Sequence, residues 1–114
     1  VPHTPYEPAP EPHLSKYKKL GCKDDQLLFR SMVSHLDEQI GRLIKHLKKT
    51  GQYDNTLIIY SSDNGAAFQG SPGPFKGGKT DLHEGGIRVP GFFVWKGHIQ
   101  LGTHTFQTGH FADK

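Results

Sequence analysis

The chain has 114 residues, room for one ordinary domain and too few for two. Its hydrophobic share of 33% is low, while 14 glycines and 8 prolines are a generous supply. A formal charge of +3 without a run of five basic residues leaves no nucleic-acid footprint, and no apolar stretch approaches the roughly 18 residues of a membrane span.

Residues 1–23 carry Pro2, Pro5, Pro8, Pro10 and Pro12. Each removes a backbone donor and fixes φ, so the stretch is predicted to be an extended arm lying across a larger body, not a helix. A chain opening Val-Pro-His-Thr-Pro, with no initiator Met and no signal-peptide pattern, reads as cut from something longer. The single cysteine, Cys22, excludes an internal disulfide and is expected to be a part-buried or exposed bystander thiol.

From Asp24 to Thr50 the pattern changes. Phe29, Met32, Val33, Leu36, Ile40, Leu43, Ile44 and Leu47 recur at steps of mostly three and four, which predicts one helix over 24–50 with a buried apolar face. Asp24 and Asp25 suit its positive N-terminal end, and Lys45, Lys48 and Lys49 its negative C-terminal end. Gly51 is a natural stop.

Residues 56–62 (Thr-Leu-Ile-Ile-Tyr-Ser-Ser) form a short β-branched apolar run. It predicts a central strand with Leu57 and Ile59 buried, as in a parallel sheet covered by helices. The stretch 63–90 is a glycine-rich loop, 91–95 (Gly-Phe-Phe-Val-Trp) a second buried strand, and 96–114 a polar tail. Helix, strand, loop and strand together indicate an α/β fold. One helix and two strands cannot cover both faces of a sheet, so the expectation is part of a domain.

Asp63 and Asn64 follow the predicted strand's carboxyl end, where open α/β sheets bind ligands. A carboxylate beside an amide oxygen supplies two hard donors of the type Ca²⁺ and Mg²⁺ prefer, although Asp-Asn-Gly is equally a turn former. Gly73 to Thr80 formally matches the P-loop pattern G-x-x-x-x-G-K-[ST]. No strand runs directly into it, and Gly85, Gly86 and Pro90 interrupt any helix after it, so nucleotide binding is rejected. Lys79 remains either a cation offered to an anionic group or a solvated loop lysine. Eight histidines build no zinc spacing: His83-Glu84 lacks a second histidine four residues on. His3 stands in a rigid Pro-bracketed context, whereas His13, His46, His98, His104 and His110 read as surface residues.

Leu36-Asp37-Glu38-Gln39-Ile40-Gly41, then residues 54–65 ending in Ser-Asp-Asn-Gly, then Gly78-Lys79, Glu84-Gly85-Gly86-Ile87-Arg88-Val89-Pro90 and Trp95-Lys96-Gly97-His98-Ile99, together resemble the sulfatase family of the alkaline-phosphatase superfamily. His3-Thr4-Pro5 is similar to that family's His-x-Pro segment. The resemblance implies an alkaline-phosphatase-like sheet flanked by helices and a hydrolase of sulfate monoesters. It implies that Asp63 and Asn64 ligate a divalent cation, usually Ca²⁺, and that Lys79 and His3 contact the sulfate, all four converging on one concave site. Glu84, Arg88 and Pro90 would be scaffold of the loop that positions Lys79. The implied partner is a sulfated small molecule or glycan, together with the rest of a sulfatase chain, in a secreted, lysosomal or periplasmic setting.

The family's nucleophile is a formylglycine made from cysteine in a Cys-x-Pro-Ser-Arg segment upstream of this region. Cys22 is followed by Lys23-Asp24-Asp25 and does not match it, so the isolated chain is expected to be inactive. Two other readings stay open: a phosphonate or phosphodiester hydrolase of the same superfamily, and a degenerate module that binds an anion.

Overall fold

The computed structural model describes residues 2–109. His110, expected at the surface, and the end of the predicted tail lie outside the described residues. The elements run α1 (His13–Lys19), α2 (Asp24–Lys49), a 3-10 turn (Tyr53–Asn55), β1 (Ile58–Ser61), the short α3 (Glu84–Ile87) and β2 (Gly91–Val94).

The arm is not wholly extended: α1 interrupts it. Every proline of the stretch lies at or before position 12, and 13–19 (His-Leu-Ser-Lys-Tyr-Lys-Lys) contains no helix breaker. Pro12 sits at the N-cap, where its missing N–H costs no helical hydrogen bond. The Glu11 carboxylate accepts the Ser15 N–H at 3.0 Å. The Ser15 hydrogen bonds hold that carboxyl below its usual range.

The helix predicted over 24–50 is α2, unbroken from Asp24 to Lys49 with Thr50 as its C-cap. Gly51 adopts φ +72°, and the Gly51 and Gln52 N–H groups donate to the carbonyls of Lys48 (3.3 Å) and Leu47 (2.9 Å). That paired arrangement is a Schellman stop, available to glycine because it has no Cβ. The apolar face is less covered than predicted. Val33 and Leu43 are exposed, Phe29, Met32, Leu36, Ile40, Ile44 and Leu47 only half-buried, and Ser31 is the buried residue of the helix. Helix α1 packs on α2 and Tyr6 of the arm meets Phe29 with ring centroids 5.7 Å apart, but these elements are too small to shield a 26-residue helix.

His13, expected at the surface, is instead wedged between the two helices. Its side chain is 13% exposed, with Nε2 2.7 Å from Glu38 and Nδ1 3.2 Å from the Ser34 hydroxyl, both on α2. It also faces the His35 ring at 5.4 Å. Cys22 is buried, with the Arg30 guanidinium donating to its sulfur at 3.7 Å.

Strands β1 and β2 pair antiparallel, Ile58 opposite Val94 and Ser61 opposite Gly91. The expected parallel, doubly covered arrangement is corrected here. A parallel return needs a crossover, and the connection is a loop holding only the four-residue α3. Leu57 is 42% and Ile59 54% exposed, against the expected burial, and Phe92 and Phe93 are also exposed. Tyr60 and Phe92 stack on one face with centroids 4.9 Å apart, while Ile59 and Phe93 share the other. Both faces are apolar, as in a layered α/β sheet, but no helix of the described chain lies against either.

Candidate functional site

The segment after β1 and the loop before β2 are held together chiefly by backbone. The Gly65 N–H donates to the Gly86 carbonyl, the Lys79 N–H to the Ala66 carbonyl and the Gly85 N–H to the Lys76 carbonyl, each at 2.8 Å. Such close approach needs residues without Cβ atoms. A Cβ at Gly65 would collide with the Gly85 carbonyl oxygen, one at Gly85 with the Gly77 carbonyl, and one at Gly86 with the carbonyls of Asp81 and Gly78. A Cβ at Gly78 would stand 2.7 Å from the Ala66 carbonyl oxygen. The glycines therefore decide where Lys79 sits.

Side chains brace the same loop from outside. Arg88 lies 4.8 Å from the Phe75 ring centroid and 3.3 Å from the Glu84 carboxylate. Both charged groups of that ion pair are more than half exposed, so the pair itself adds little. Asp81 accepts from the His83 ring and backbone N–H, and the ring's hydrogen bond holds its carboxyl below the usual range. Pro90 offers its carbonyl to the Ser61 hydroxyl at 3.4 Å, closing the loop onto the end of β1.

His3 and Lys79, 76 positions apart, meet across a hollow of about 520 Å³. It is lined by His3 and Thr4 of the arm, Ala66–Phe68 after β1, and Gly78–Thr80 of the loop. The Thr4 carbonyl lies 2.6 Å from His3 Nδ1, so in the neutral ring Nδ1 carries the proton and donates there. Nε2 is then free to face the Lys79 ammonium, which approaches it loosely at 3.5 Å. The Lys79 cation, joined by the imidazole edge when Nε2 also carries a proton, can close on the oxygens of one tetrahedral anion.

Asp63 and Asn64 occupy the turn between β1 and this hollow without lining it. Asp63 is exposed and Asn64 half-buried, its backbone carbonyl accepting the Ser62 hydroxyl at 2.8 Å. Among the described residues neither side chain has a hydrogen-bond partner, and no group of three or more His, Cys, Asp or Glu is arranged to hold a metal. Two unengaged hard oxygens suit Ca²⁺ or Mg²⁺ as part of a larger oxygen set, because Ca²⁺ takes about six to eight.

Sequence reasoning missed Thr4, Ala66, Ala67, Phe68 and Thr80 as the walls of the hollow. It also passed over Gly65, Gly78, Gly85 and Gly86 as the lattice beneath it. The glycine pairs at 77–78 and 85–86 were the available signal, since adjacent glycines mark close backbone approach as well as loop freedom.

The family model described as Sulfatase matches residues 2–111. Over 108 residues the chain is 37% identical to the uncharacterized sulfatase YdeN of Escherichia coli (strain K12), covering 91% of this chain and 19% of that protein. It is 38% identical over 87 residues to N-acetylgalactosamine-6-sulfatase of Homo sapiens, covering 71% of this chain and 17% of that one. Among solved structures it is similar to the crystal structure of Ps i-CgsB, with a TM-score of 0.78 and 39% identity over 87% of this chain and 22% of the other. The chain thus spans about a fifth of the length of these relatives.

Proposed function

This chain belongs to the sulfatase family, with part of its alkaline-phosphatase-like α/β fold, and from that premise we propose that it carries the anion-holding half of a sulfuric ester hydrolase site. The observation that carries this reading is the meeting of His3 and Lys79 in one hollow.

In this reading Lys79 and His3 grip the sulfate of a sulfated small molecule or glycan. The ammonium faces oxygens whose negative charge grows toward the leaving group as the S–O bond breaks. His3 supplies a hydrogen bond from its Nε2 edge when protonated. The glycine lattice matters because a preorganised cation loses no stabilisation to rearrangement at the moment of reaction. Asp63 and Asn64 hold a divalent cation, Ca²⁺ by preference for such donors, with the remaining ligands supplied by the rest of the domain. When bound, that cation draws charge from the sulfate oxygens. The formylglycine nucleophile also belongs to that rest, so the 114-residue chain alone does not turn over.

The test assays the full-length protein and the isolated chain on one chromogenic aryl sulfate with Ca²⁺ present. In the full-length protein Lys79→Ala lowers the rate by roughly 10²-fold, the scale of removing one preorganised charge-stabilising group. The isolated chain gives no turnover. A full-length protein indifferent to Lys79→Ala, or turnover by the chain alone after contaminants are excluded, overturns the proposal.

A further inference from the structure

The hollow has an apolar wall with no part in holding sulfate. Phe68 lines it, yet the residue stands 78% exposed. Its backbone is left-handed, φ +46°, a conformation that L side chains adopt at a cost and that aromatic residues seldom take. Other exposed apolar residues, such as Ile59, Phe92 and Phe93, lie in regular strands whose bare faces await a covering layer. Phe68 is different, because a loop residue in a disfavoured conformation gains nothing from packing that it does not make. Retained strain of this kind points toward a ligand role.

We propose that Phe68 is a specificity-determining residue, a platform on which the ring that bears the sulfate lies while His3 and Lys79 hold the sulfate itself. The inference rests on the sulfate-ester reading of the hollow. The ring chemistry it selects is a flat apolar face, whether an aryl ring or the C–H face of a sugar, since both pack against an aromatic π-surface. The Gly70 N–H donates to the Ala67 carbonyl at 2.8 Å, closing a tight turn that fixes the backbone on either side of Phe68. Ala66 and Ala67 beside it are small, which leaves room for a ring over the hollow.

The experiment uses the full-length protein with Phe68→Ala, Phe68→Gly and Phe68→Tyr. Glycine accepts the left-handed backbone freely, so that variant removes the ring without disturbing the turn. Four probes are compared: an aryl sulfate, a sulfated monosaccharide, a short alkyl sulfate and inorganic sulfate as an inhibitor. Loss of the ring should raise KM roughly tenfold for the ring substrate the enzyme uses, with kcat within about twofold, because the contact is equal in ground and transition states. KM for the alkyl sulfate and the Ki of inorganic sulfate stay unchanged, and Phe68→Tyr behaves as the parent. An effect on the aryl ester, the sugar ester or both identifies the ring. Unchanged KM for both ring substrates overturns the inference, as does an equal rise for all four probes, which would mark a structural collapse. Lys79→Ala separates the two levels: if it weakens inorganic sulfate, the sulfate site stands whatever Phe68 does. If it does not, the reading of the site fails and the platform falls with it.

Discussion

The loop at 63–90 and the two-stranded sheet that frames it solve opposite problems. The loop has almost no apolar core, yet Gly65, Gly85 and Gly86 are buried and backbone pairs close it upon itself. The sheet has abundant apolar surface, with Ile59 and Phe93 on one face and Tyr60 and Phe92 on the other, and leaves all four exposed. The loop's backbone hydrogen bonds and glycine contacts find their partners inside the loop, the widest pairing Gly65 with Gly86, whereas hydrophobic burial needs a partner layer. The placing of Lys79 is thus settled inside the loop, while stability of the sheet is not settled inside the sheet.

That contrast can be broken first at the sheet. In the full-length protein Phe93→Ala should cost about 3–5 kcal/mol, the range for truncating a buried aromatic. In the 114-residue chain, where Phe93 is 59% exposed, the same change should fall near the roughly 0.5 kcal/mol of surface substitutions. Chemical denaturation of both proteins measures the difference, and equal costs would mean the strand gains no cover.

The loop should behave alike in both proteins. Gly86→Ala forces a Cβ into two backbone carbonyls, with an expected cost at the upper end of about 1–3 kcal/mol. Hydrogen exchange should show lost protection at the Gly65 and Lys79 amides. Gly41→Ala in α2 is the counter-case: no atom lies within 4 Å of the added Cβ and the backbone is helical, so the 114-residue chain should gain about 0.5–1 kcal/mol. A loss there would show that glycine at 41 is needed for close approach too.

The smallest effect is electrostatic and lies between α1 and α2. The hydrogen bond from His13 holds the Glu38 carboxyl below its usual range. A carboxyl depressed in the folded state adds stability above its unfolded pKa, and that contribution fades as pH falls through the folded value. Stability should therefore decline on acidification below about pH 4.3, the ordinary glutamate value. Glu38→Gln should flatten part of that decline. Because Glu38 is more than half exposed, added salt should shrink the effect. Parallel denaturation series from pH 6 to 3 provide the check.

What could be read in the sequence follows from how local each cause is. Helix α2 and its stop were legible because apolar period, end charges and Gly51 are encoded within one segment. Helix α1 was not, because prolines up to position 12 coloured the reading of the proline-free 13–19. The expected burial of Leu57 and Ile59 failed because an apolar run reports what a strand needs, not what this chain supplies. At the site, His3 and Lys79 came together as expected, while Asp63 and Asn64 sit at the turn beside the hollow rather than in its wall. Phe68 was invisible, since nothing in Ala-Ala-Phe-Gln signals a left-handed backbone.

The central claim is that His3 and Lys79 hold one anion together. A double-mutant cycle on the Ki of inorganic sulfate in the full-length protein, using His3→Ala, Lys79→Ala and the pair, tests it most directly. The account predicts that each single change weakens sulfate and that the second costs less once the first is made, giving a coupling of at least about 0.5 kcal/mol. Strict additivity, or a Ki indifferent to either residue, would contradict it.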